Sequence, residues 1–336
     1  MSRASLGLPV SRARQLSSLI DILDRIGAPT DQGLERNRLP AAAREDLDTL
    51  VSTRAVAAFA GDMARREGIT DFGWQAGRLR SFQLMTSGLA RRLRAAPTLL
   101  GALETVCGLA RGESSGLRFW LRGQDDAVLF CHRGSLEVEA PGQDEMSLMR
   151  VSIVLSILRL FTGPDWVPRD CALALAGGIG PVAREGLGGA RIVRTPEYGW
   201  IRLPRPLLAL PARAPAPPDA GESPEGPLPL DLQGSLVHAL RPYLAEGTPT
   251  VRHMADLAGT SVRSLQRDLT REGLSFRKVL ERARLEIARE FLAQPDVRIV
   301  DVAHEAGFSD HAHFVRFFRR LAGVTPREYR ATLAAE

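Results

Sequence analysis

Two short helix–turn–helix patterns near the C-terminus constrain the fold of this chain more than any other feature. The first pattern spans residues 250–270, where two amphipathic stretches flank a turn at Gly259. Thr250 and Ser261 are suitable N-caps, because a side-chain oxygen can accept a hydrogen bond from an unpaired N–H of the first turn. Gly259 supplies the positive φ that a sharp turn after a helix requires. The pattern therefore predicts two short helices joined by a tight turn.

The second pattern covers residues 299–321 and repeats the first with different side chains. Gly307 ends its first helix, and either Ser309 or Asp310 caps its second helix. Between the two patterns, residues 275–294 have the apolar spacing of one long amphipathic helix, which can hold the two patterns at a fixed separation. We therefore predict an all-α C-terminal domain with two helix–turn–helix units joined by a long helix.

The stretch from Ile299 to Arg330 resembles the C-terminal signature of the AraC/XylS family of bacterial transcription regulators. The matching residues are Ala303, Gly307, Phe308, Ser309, Phe314, Arg316, Phe318, Gly323, Pro326, Tyr329 and Arg330. A match in the right order over this length is far more specific than one isolated helix–turn–helix. The first pattern is similar to the same family at Leu257, Ala258, Ser261, Leu265 and Arg267.

The distribution of prolines indicates a linker between two domains. Nine of the 22 prolines lie between Pro204 and Pro229, in a stretch with few large apolar residues. We therefore predict an N-terminal domain at residues 1–205, a semi-rigid linker at 206–231 and a DNA-binding domain at 232–336.

The N-terminal domain has the pattern of an α+β fold, with helices first and a small sheet later. Its periodicity predicts a helix from Pro40 to Met63 and another from Gly77 to Ala95. A β-hairpin is predicted at residues 117–132, a helix at 145–161, and further strands at the end of the domain. The predicted fold class is thus multidomain, with an α+β domain followed by an all-α domain.

The N-terminal half also resembles a known domain, less specifically. Residues 71–77, 96–103 and 163–166 are similar to the arabinose-binding-domain-like sensor found in one branch of the AraC/XylS family. The predicted strands are too few and too late for the β-barrel of the arabinose regulator, so no sugar-binding residues are assigned. The resemblance implies an unidentified small-molecule effector and a homodimer.

The charge balance suits an anionic partner such as double-stranded DNA. The formal net charge is +5, and the isoelectric point is near 9.7. Residues 232–336 contain 16 Arg and Lys against 13 Asp and Glu, which leaves +3 of that excess in the DNA-binding domain. Such a balance favours binding to nucleic acid without establishing it. Lys278 is the only lysine, and we attribute the arginine bias mainly to the base composition of the genome.

Cysteine spacing and hydropathy predict a cytoplasmic protein. Cys107, Cys131 and Cys171 form no CxxC pair, which is consistent with a reducing compartment. No apolar run follows the N-terminal arginines, so no signal peptide is predicted. The apolar stretch from Val151 to Phe161 is too short to span a membrane.

Helix–turn–helix units place the N-terminal part of their second helix in the major groove, where side chains reach base edges. The predicted base contacts are Arg263, Gln266 and Arg267 in the first unit and His311 and Arg316 in the second. Arginine can donate two hydrogen bonds to guanine, and glutamine can pair in the same way with adenine. Side chains predicted to contact phosphate or to position the helices are Ser261, Ser309, His313, Arg319 and Arg320.

The two units are not expected to contribute equally. Ala312 and Val315 stand where many family members carry polar residues, so the second unit should discriminate less between sequences. Free N–H groups at the start of each recognition helix are also expected to bind phosphate. Two units in one chain should reach adjacent major grooves about 10 base pairs apart.

Two alternatives to an effector-responsive regulator are a DNA-binding protein whose N-terminal domain only dimerises, and an enzyme domain fused to a helix–turn–helix domain. No GxSxG, HExxH, phosphate-binding loop or Cys/His constellation is present, so we predict no enzyme, no cofactor and no metal. His311 and His313 do not share a helix face and therefore do not indicate a metal site.

The resemblance implies RNA polymerase as a partner, with activation the expected mode and repression the alternative.

Overall fold

The computed structural model describes residues 7–79, 81–213, 228–229 and 231–334. The chain divides into two compact units, one from Pro9 to Pro229 and the other formed by Met1–Leu8 together with Leu230–Glu336. No helix in the described ranges is long and apolar enough to cross a lipid bilayer.

The first unit combines helices with two sheets. Its helices are α1 (Arg14–Arg25), α2 (Thr30–Arg36), α3 (Ala42–Glu45), α4 (Thr53–Arg66), α5 (Phe72–Leu79), α6 (Ser87–Ala95), α7 (Leu99–Leu109), α8 (Gln143–Thr162) and α9 (Pro181–Gly186). Its strands are β1 (Val10–Arg12), β2 (Leu50–Ser52), β3 (Arg118–Gly123), β4 (Ala127–Arg133), β5 (Asp170–Leu173), β6 (Arg191–Arg194) and β7 (Gly199–Pro204).

The larger sheet has five strands in the order β3-β4-β7-β5-β6. The predicted hairpin is confirmed as β3 and β4, which pair antiparallel with Trp120 opposite Cys131. Among the strand pairs of this sheet in the described chain, only β5 and β6 run parallel to each other. Helix α8 extends across the core, where Trp74, Phe130 and Phe161 are fully buried. The mixed α/β character predicted for this unit is confirmed.

Glycine allows α5 and α8 to approach closely. A Cβ atom at Gly73 would collide with the backbone of Glu145, and one at Gly77 would crowd the carbonyl of Met149. The Ser152 hydroxyl then donates a hydrogen bond of 3.0 Å to the Trp74 carbonyl. This contact fixes α8, which carries several of the cavity residues described below.

Two helix predictions in the first unit are wrong. The stretch expected to form one helix from Pro40 to Met63 contains α3, then β2, then α4. Its residue Val51 pairs instead with Ser11 of β1 in a two-stranded sheet. Likewise, α5 ends at Leu79 and α6 begins only at Ser87. In both cases long-range pairing or capping overrides the local helical periodicity.

The end of the first unit lies later than composition suggests. A 3-10 turn at Arg205–Ala209 follows β7, and the carbonyl of Leu210 accepts a 2.9 Å hydrogen bond from the backbone of Leu99. The N–H of Arg213 donates to the carbonyl of Leu160 at 2.8 Å. Residues 205–213 therefore pack on the first unit, although the linker was predicted to start at 206. The predicted linker falls mainly on residues 214–227, outside the described ranges.

The described part of the second unit is helical. It contains α10 (Leu232–Leu240), α11 (Val251–Leu257), α12 (Val262–Arg271), α13 (Phe276–Leu292), α14 (Ile299–Glu305), α15 (His311–Ala322) and α16 (Pro326–Leu333). The long helix predicted at 275–294 is confirmed as α13. The turns before α12 and α15 contain Gly259 at φ +64° and Gly307 at φ +78°, as their positions in the sequence predicted.

Candidate nucleic-acid interface and buried cavity

Helix α12 presents one polar face and buries the other. The side chain of Ser261 accepts a hydrogen bond of 3.1 Å from the N–H of Ser264 and so caps the helix. Leu265 and Leu269 are buried against the rest of the unit. The opposite face exposes three side chains predicted to contact bases, which are Arg263, Gln266 and Arg267.

These three side chains are available to a ligand. Within the part of the chain that the structure describes, Arg263 and Gln266 form no side-chain hydrogen bond or ion pair. Arg267 lies 3.8 Å from the carboxylate of Asp268, which also binds Arg271 at 3.1 Å. Because such exposed pairs contribute little, Arg267 can be recruited by a phosphate or a base at small cost.

Helix α15 is organised in the same way around an aromatic core. Phe314, Phe317 and Phe318 are buried, and Phe308 of the preceding turn packs on Phe317 with ring centroids 4.8 Å apart. His311 and Arg316 are exposed, and across residues 231–334 neither side chain forms a hydrogen bond or an ion pair.

The N-terminus of α15 is closed by an acidic cap. Asp310, not Ser309, caps the helix, and its carboxylate accepts hydrogen bonds from the N–H groups of Ala312 and His313 at 3.0 and 3.1 Å. These bonds hold the pKa of Asp310 below its ordinary value. The expectation of free N–H groups for a phosphate is therefore not met at these two residues. Ser309 is exposed, and the ring of His313 packs edge-on against Phe308 at 5.2 Å.

Two arginines predicted to contact phosphate have different surroundings. Arg320 forms an ion pair of 2.8 Å with Glu281 on α13, and Arg277 binds the same carboxylate at 3.2 Å. Arg320 and then Arg277 lower the pKa of Glu281. Arg319, by contrast, is exposed and forms no side-chain hydrogen bond or ion pair with the described residues. Arg320 thus connects α15 to α13, whereas Arg319 is free to bind an anion.

A further positioning residue, Arg284, was missed by the sequence analysis. Its guanidinium donates to the Thr248 hydroxyl at 2.8 Å and to the Gly307 carbonyl at 3.2 Å. It also lies 4.7 Å from the centroid of the Phe308 ring. The available signal was an arginine within the apolar stripe of α13, four residues after Leu280 and three before Ile287.

The first unit contains a cavity of about 90 Å³. Its wall is formed mainly by apolar side chains from α6, α7, α8 and β3, including Leu89, Val106, Phe119 and Ile153. Several polar residues interrupt this surface, and two of them are charged, namely Glu113 and Arg150. A mostly apolar cavity with a few convergent polar groups is the usual form of a small-molecule site. Among the described residues, no group of His, Cys, Asp and Glu could hold a metal ion.

Comparison with protein families matches both units. Residues 254–332 match a helix-turn-helix domain, and residues 27–177 match the N-terminal arabinose-binding domain of AraC transcription regulators. The chain belongs to the AraC/XylS family. The resemblance inferred from the two halves of the sequence is therefore confirmed, and the family is one of DNA-binding transcription regulators.

Several individual proteins are similar to this chain. The HTH-type transcriptional regulator VirS of Mycobacterium tuberculosis is 27% identical over 334 residues, which cover 95% of this chain and 96% of VirS. The transcriptional activator NphR of Rhodococcus sp is 41% identical over 81 residues, 24% of each chain. The crystal structure of the transcriptional regulator CdpR from Pseudomonas aeruginosa covers 90% of this chain and 96% of CdpR, with 18% identity and a TM-score of 0.38.

Proposed function

We propose that this AraC/XylS regulator reads two adjacent major grooves with two helix–turn–helix units, formed by α11 with α12 and by α14 with α15. The observation that carries the proposal is shared by both pairs. In each pair the second helix follows a glycine with positive φ, buries an apolar face and exposes unpaired polar side chains. This is the arrangement that allows a recognition helix to enter a groove without disturbing its own core.

The exposed side chains match the chemistry of base edges. Arg263 and Arg267 are suited to bind guanine through two hydrogen bonds each, and Gln266 is suited to bind adenine. His311 and Arg316 supply the corresponding contacts in the second unit. Arg319 and the hydroxyls of Ser261 and Ser309 are suited to phosphate, with His313 and Arg320 mainly positioning α15. Each good paired contact to a base contributes roughly 1–3 kcal/mol of discrimination.

The first unit is proposed to bind a small effector, to form a homodimer and to transmit the bound state to DNA binding. Support comes from the match to the arabinose-binding domain and from the cavity, which lies within that unit. A regulator of this type would contact RNA polymerase when bound near a promoter. The name of the relative NphR, a transcriptional activator, favours activation.

The proposal is tested by titrating the full chain against the DNA upstream of its own gene and against a scrambled duplex at two salt concentrations. Arg263→Ala and Arg267→Ala should each weaken binding to the specific duplex about 5- to 150-fold, which corresponds to about 1–3 kcal/mol. Arg282→Ala is the matched control, because Arg282 is an exposed arginine of α13 whose ion pair is with Glu286. Equal, salt-sensitive binding to both duplexes by all variants would contradict sequence recognition.

A further inference from the structure

Arg150 is a half-buried cation for which the described residues provide no partner. It lies on α8 and lines the cavity of the first unit. Across residues 7–79 and 81–213, its guanidinium forms no hydrogen bond and no ion pair. Burial lowers its pKa to about 10, so the group stays charged at neutral pH. A guanidinium that is partly withdrawn from water is usually paired, because the loss of hydration is costly.

Within the part of the first unit that the structure describes, no anion compensates the charge of Arg150. His132 on β4 is buried, neither of its ring nitrogens has a hydrogen-bond partner in the described chain, and its pKa is lowered to about 3. Burial is the main cause of that shift, and the charge of Arg150 is the second. Glu113 is the acidic residue of the lining, but it does not come within ion-pair distance of Arg150.

Glu113 is instead held by the start of α6. One carboxylate oxygen accepts hydrogen bonds from the N–H and the hydroxyl of Thr86, at 2.9 and 2.6 Å. The other oxygen has no hydrogen-bond partner among the described residues. Burial raises the pKa of Glu113. Glu113 therefore leaves the positive charge of Arg150 uncompensated.

Glycine brings the guanidinium against the backbone at the cavity wall. A Cβ atom at Gly134 would collide with a terminal nitrogen of Arg150. Apolar side chains form most of the remaining wall, among them Phe119, Met146 and Met149. The cavity thus combines one unpaired cation with a mostly apolar surface.

We propose that this cavity binds a small carboxylic acid with an apolar body, whose carboxylate is held by Arg150. The inference deepens the proposed function, since it specifies the chemical class of the effector. A guanidinium presents its N–H groups in a fork that matches a carboxylate, and such charge-assisted bonds are stronger than neutral ones. The apolar body replaces water along Phe119, Met146 and Met149.

The test uses the full chain and four probes: the carboxylates hexanoate and benzoate, the uncharged 1-hexanol, and inorganic phosphate. Binding is measured by calorimetry and by the shift in Tm. Hexanoate should bind and raise Tm with concentration. Hexanol, which has the same carbon chain without the charge, should bind at least about tenfold more weakly, and phosphate should produce no shift. Equal binding of hexanoate and hexanol would overturn the proposal, and so would an absence of binding by both carboxylates, hexanoate and benzoate.

Variants separate the role of Arg150 from general effects on charge. Arg150→Met should lower hexanoate affinity about tenfold or more, while Arg118→Met, at an exposed arginine of β3, should leave it unchanged. Without ligand, Arg150→Met should keep or raise the Tm, because a half-buried charge without a compensating partner is removed. Gly134→Ala is a second variant, which displaces the guanidinium without altering the net charge and should also weaken binding. Unchanged affinity in both Arg150→Met and Gly134→Ala would overturn the proposal.

Failure of this inference is distinguishable from failure of the proposed function. The same protein preparations are titrated with the specific and scrambled duplexes in the absence of any probe. Specific DNA binding without carboxylate binding would overturn the effector assignment and leave the DNA-reading role intact. Carboxylate binding that depends on Arg150, without specific DNA binding, would support the site and contradict the proposed role in reading DNA.

Discussion

The guanidinium of Arg284 on α13 lies 4.7 Å from the centroid of the Phe308 ring, in the turn that precedes α15. The same group donates a hydrogen bond to the carbonyl of Gly307, whose positive φ shapes that turn. Burial lowers the pKa of Arg284. The long helix therefore does more than separate two helix pairs, because one of its side chains directly holds the turn that orients α15.

Replacing Arg284 with methionine should loosen this turn. The variant keeps much of the side-chain volume but loses the contact of the cation with Phe308 and the bonds to Thr248 and Gly307. We expect a loss of about 1–3 kcal/mol in the free energy of unfolding, measured by urea denaturation with far-ultraviolet circular dichroism. DNA affinity should fall similarly for all sequences. Arg282→Met is the control, and equal stability of the two variants would contradict a positioning role for Arg284.

Arg319 and Arg320 should respond differently to the same substitution. Arg319→Met removes an exposed, unpaired cation, so it should leave stability unchanged. It should also reduce the salt slope, which is the slope of log affinity against log salt concentration, by the amount expected for about one phosphate contact. Arg320→Met breaks the 2.8 Å ion pair with Glu281, an exposed contact worth about 0–1 kcal/mol. A parallel measurement of Tm and of the salt slope distinguishes the two. If Arg320→Met alone reduced the salt slope, the assignment of Arg319 to phosphate would be wrong.

The first recognition helix should dominate sequence discrimination. It exposes Arg263, Gln266 and Arg267, whereas α15 has Ala312 and Val315 at two of the corresponding positions. We expect Arg316→Ala to reduce the ratio of specific to scrambled affinity less than Arg263→Ala does. Competition titrations with duplexes altered at single base pairs provide the measurement. A larger effect of Arg316→Ala would mean that the second unit, not the first, contributes more to sequence discrimination.

His132 should make the first unit sensitive to acid. Its pKa is about 3 in the folded protein, against an ordinary value of 6.5, so the unfolded chain binds a proton that the folded chain excludes. This contribution to stability is fully present above pH 6.5 and is lost as the pH falls towards 3. At pH 4 the loss should reach about 3 kcal/mol, since each pH unit within that window corresponds to about 1.4 kcal/mol.

His132→Phe should remove this part of the pH dependence. Neither ring nitrogen of His132 has a hydrogen-bond partner among the described residues, so the substitution removes no hydrogen bond with them. Urea denaturation at pH 7 and pH 4, followed by the fluorescence of Trp74, Trp120, Trp166 and Trp200, reports on the first unit. The free energy of unfolding should change less between pH 7 and pH 4 in the variant than in the wild type. The same change in the free energy of unfolding in both proteins would show that His132 does not titrate in the way its burial indicates.

Much of the second unit could be predicted because its signals are local. Thr250 and Ser261 cap helices through hydrogen bonds to N–H groups three residues later, and Gly259 and Gly307 adopt positive φ within their own turns. The spacing of apolar residues then separates the buried and exposed faces of α12. The first unit was less predictable, since Val51 entered a strand only because β1 was available to pair with it.

The sequence by itself therefore determined the family, the order of the helices in the second unit and the side chains of α12 and α15 that face outward. Only the tertiary structure decided which arginines are free and which are held. Arg320 is bound by Glu281 and Arg284 by Thr248 and Gly307, while Arg150 lines a cavity without any partner in the described chain. The physical reason is that burial and charge pairing depend on groups far apart in sequence, which helical periodicity and capping do not specify.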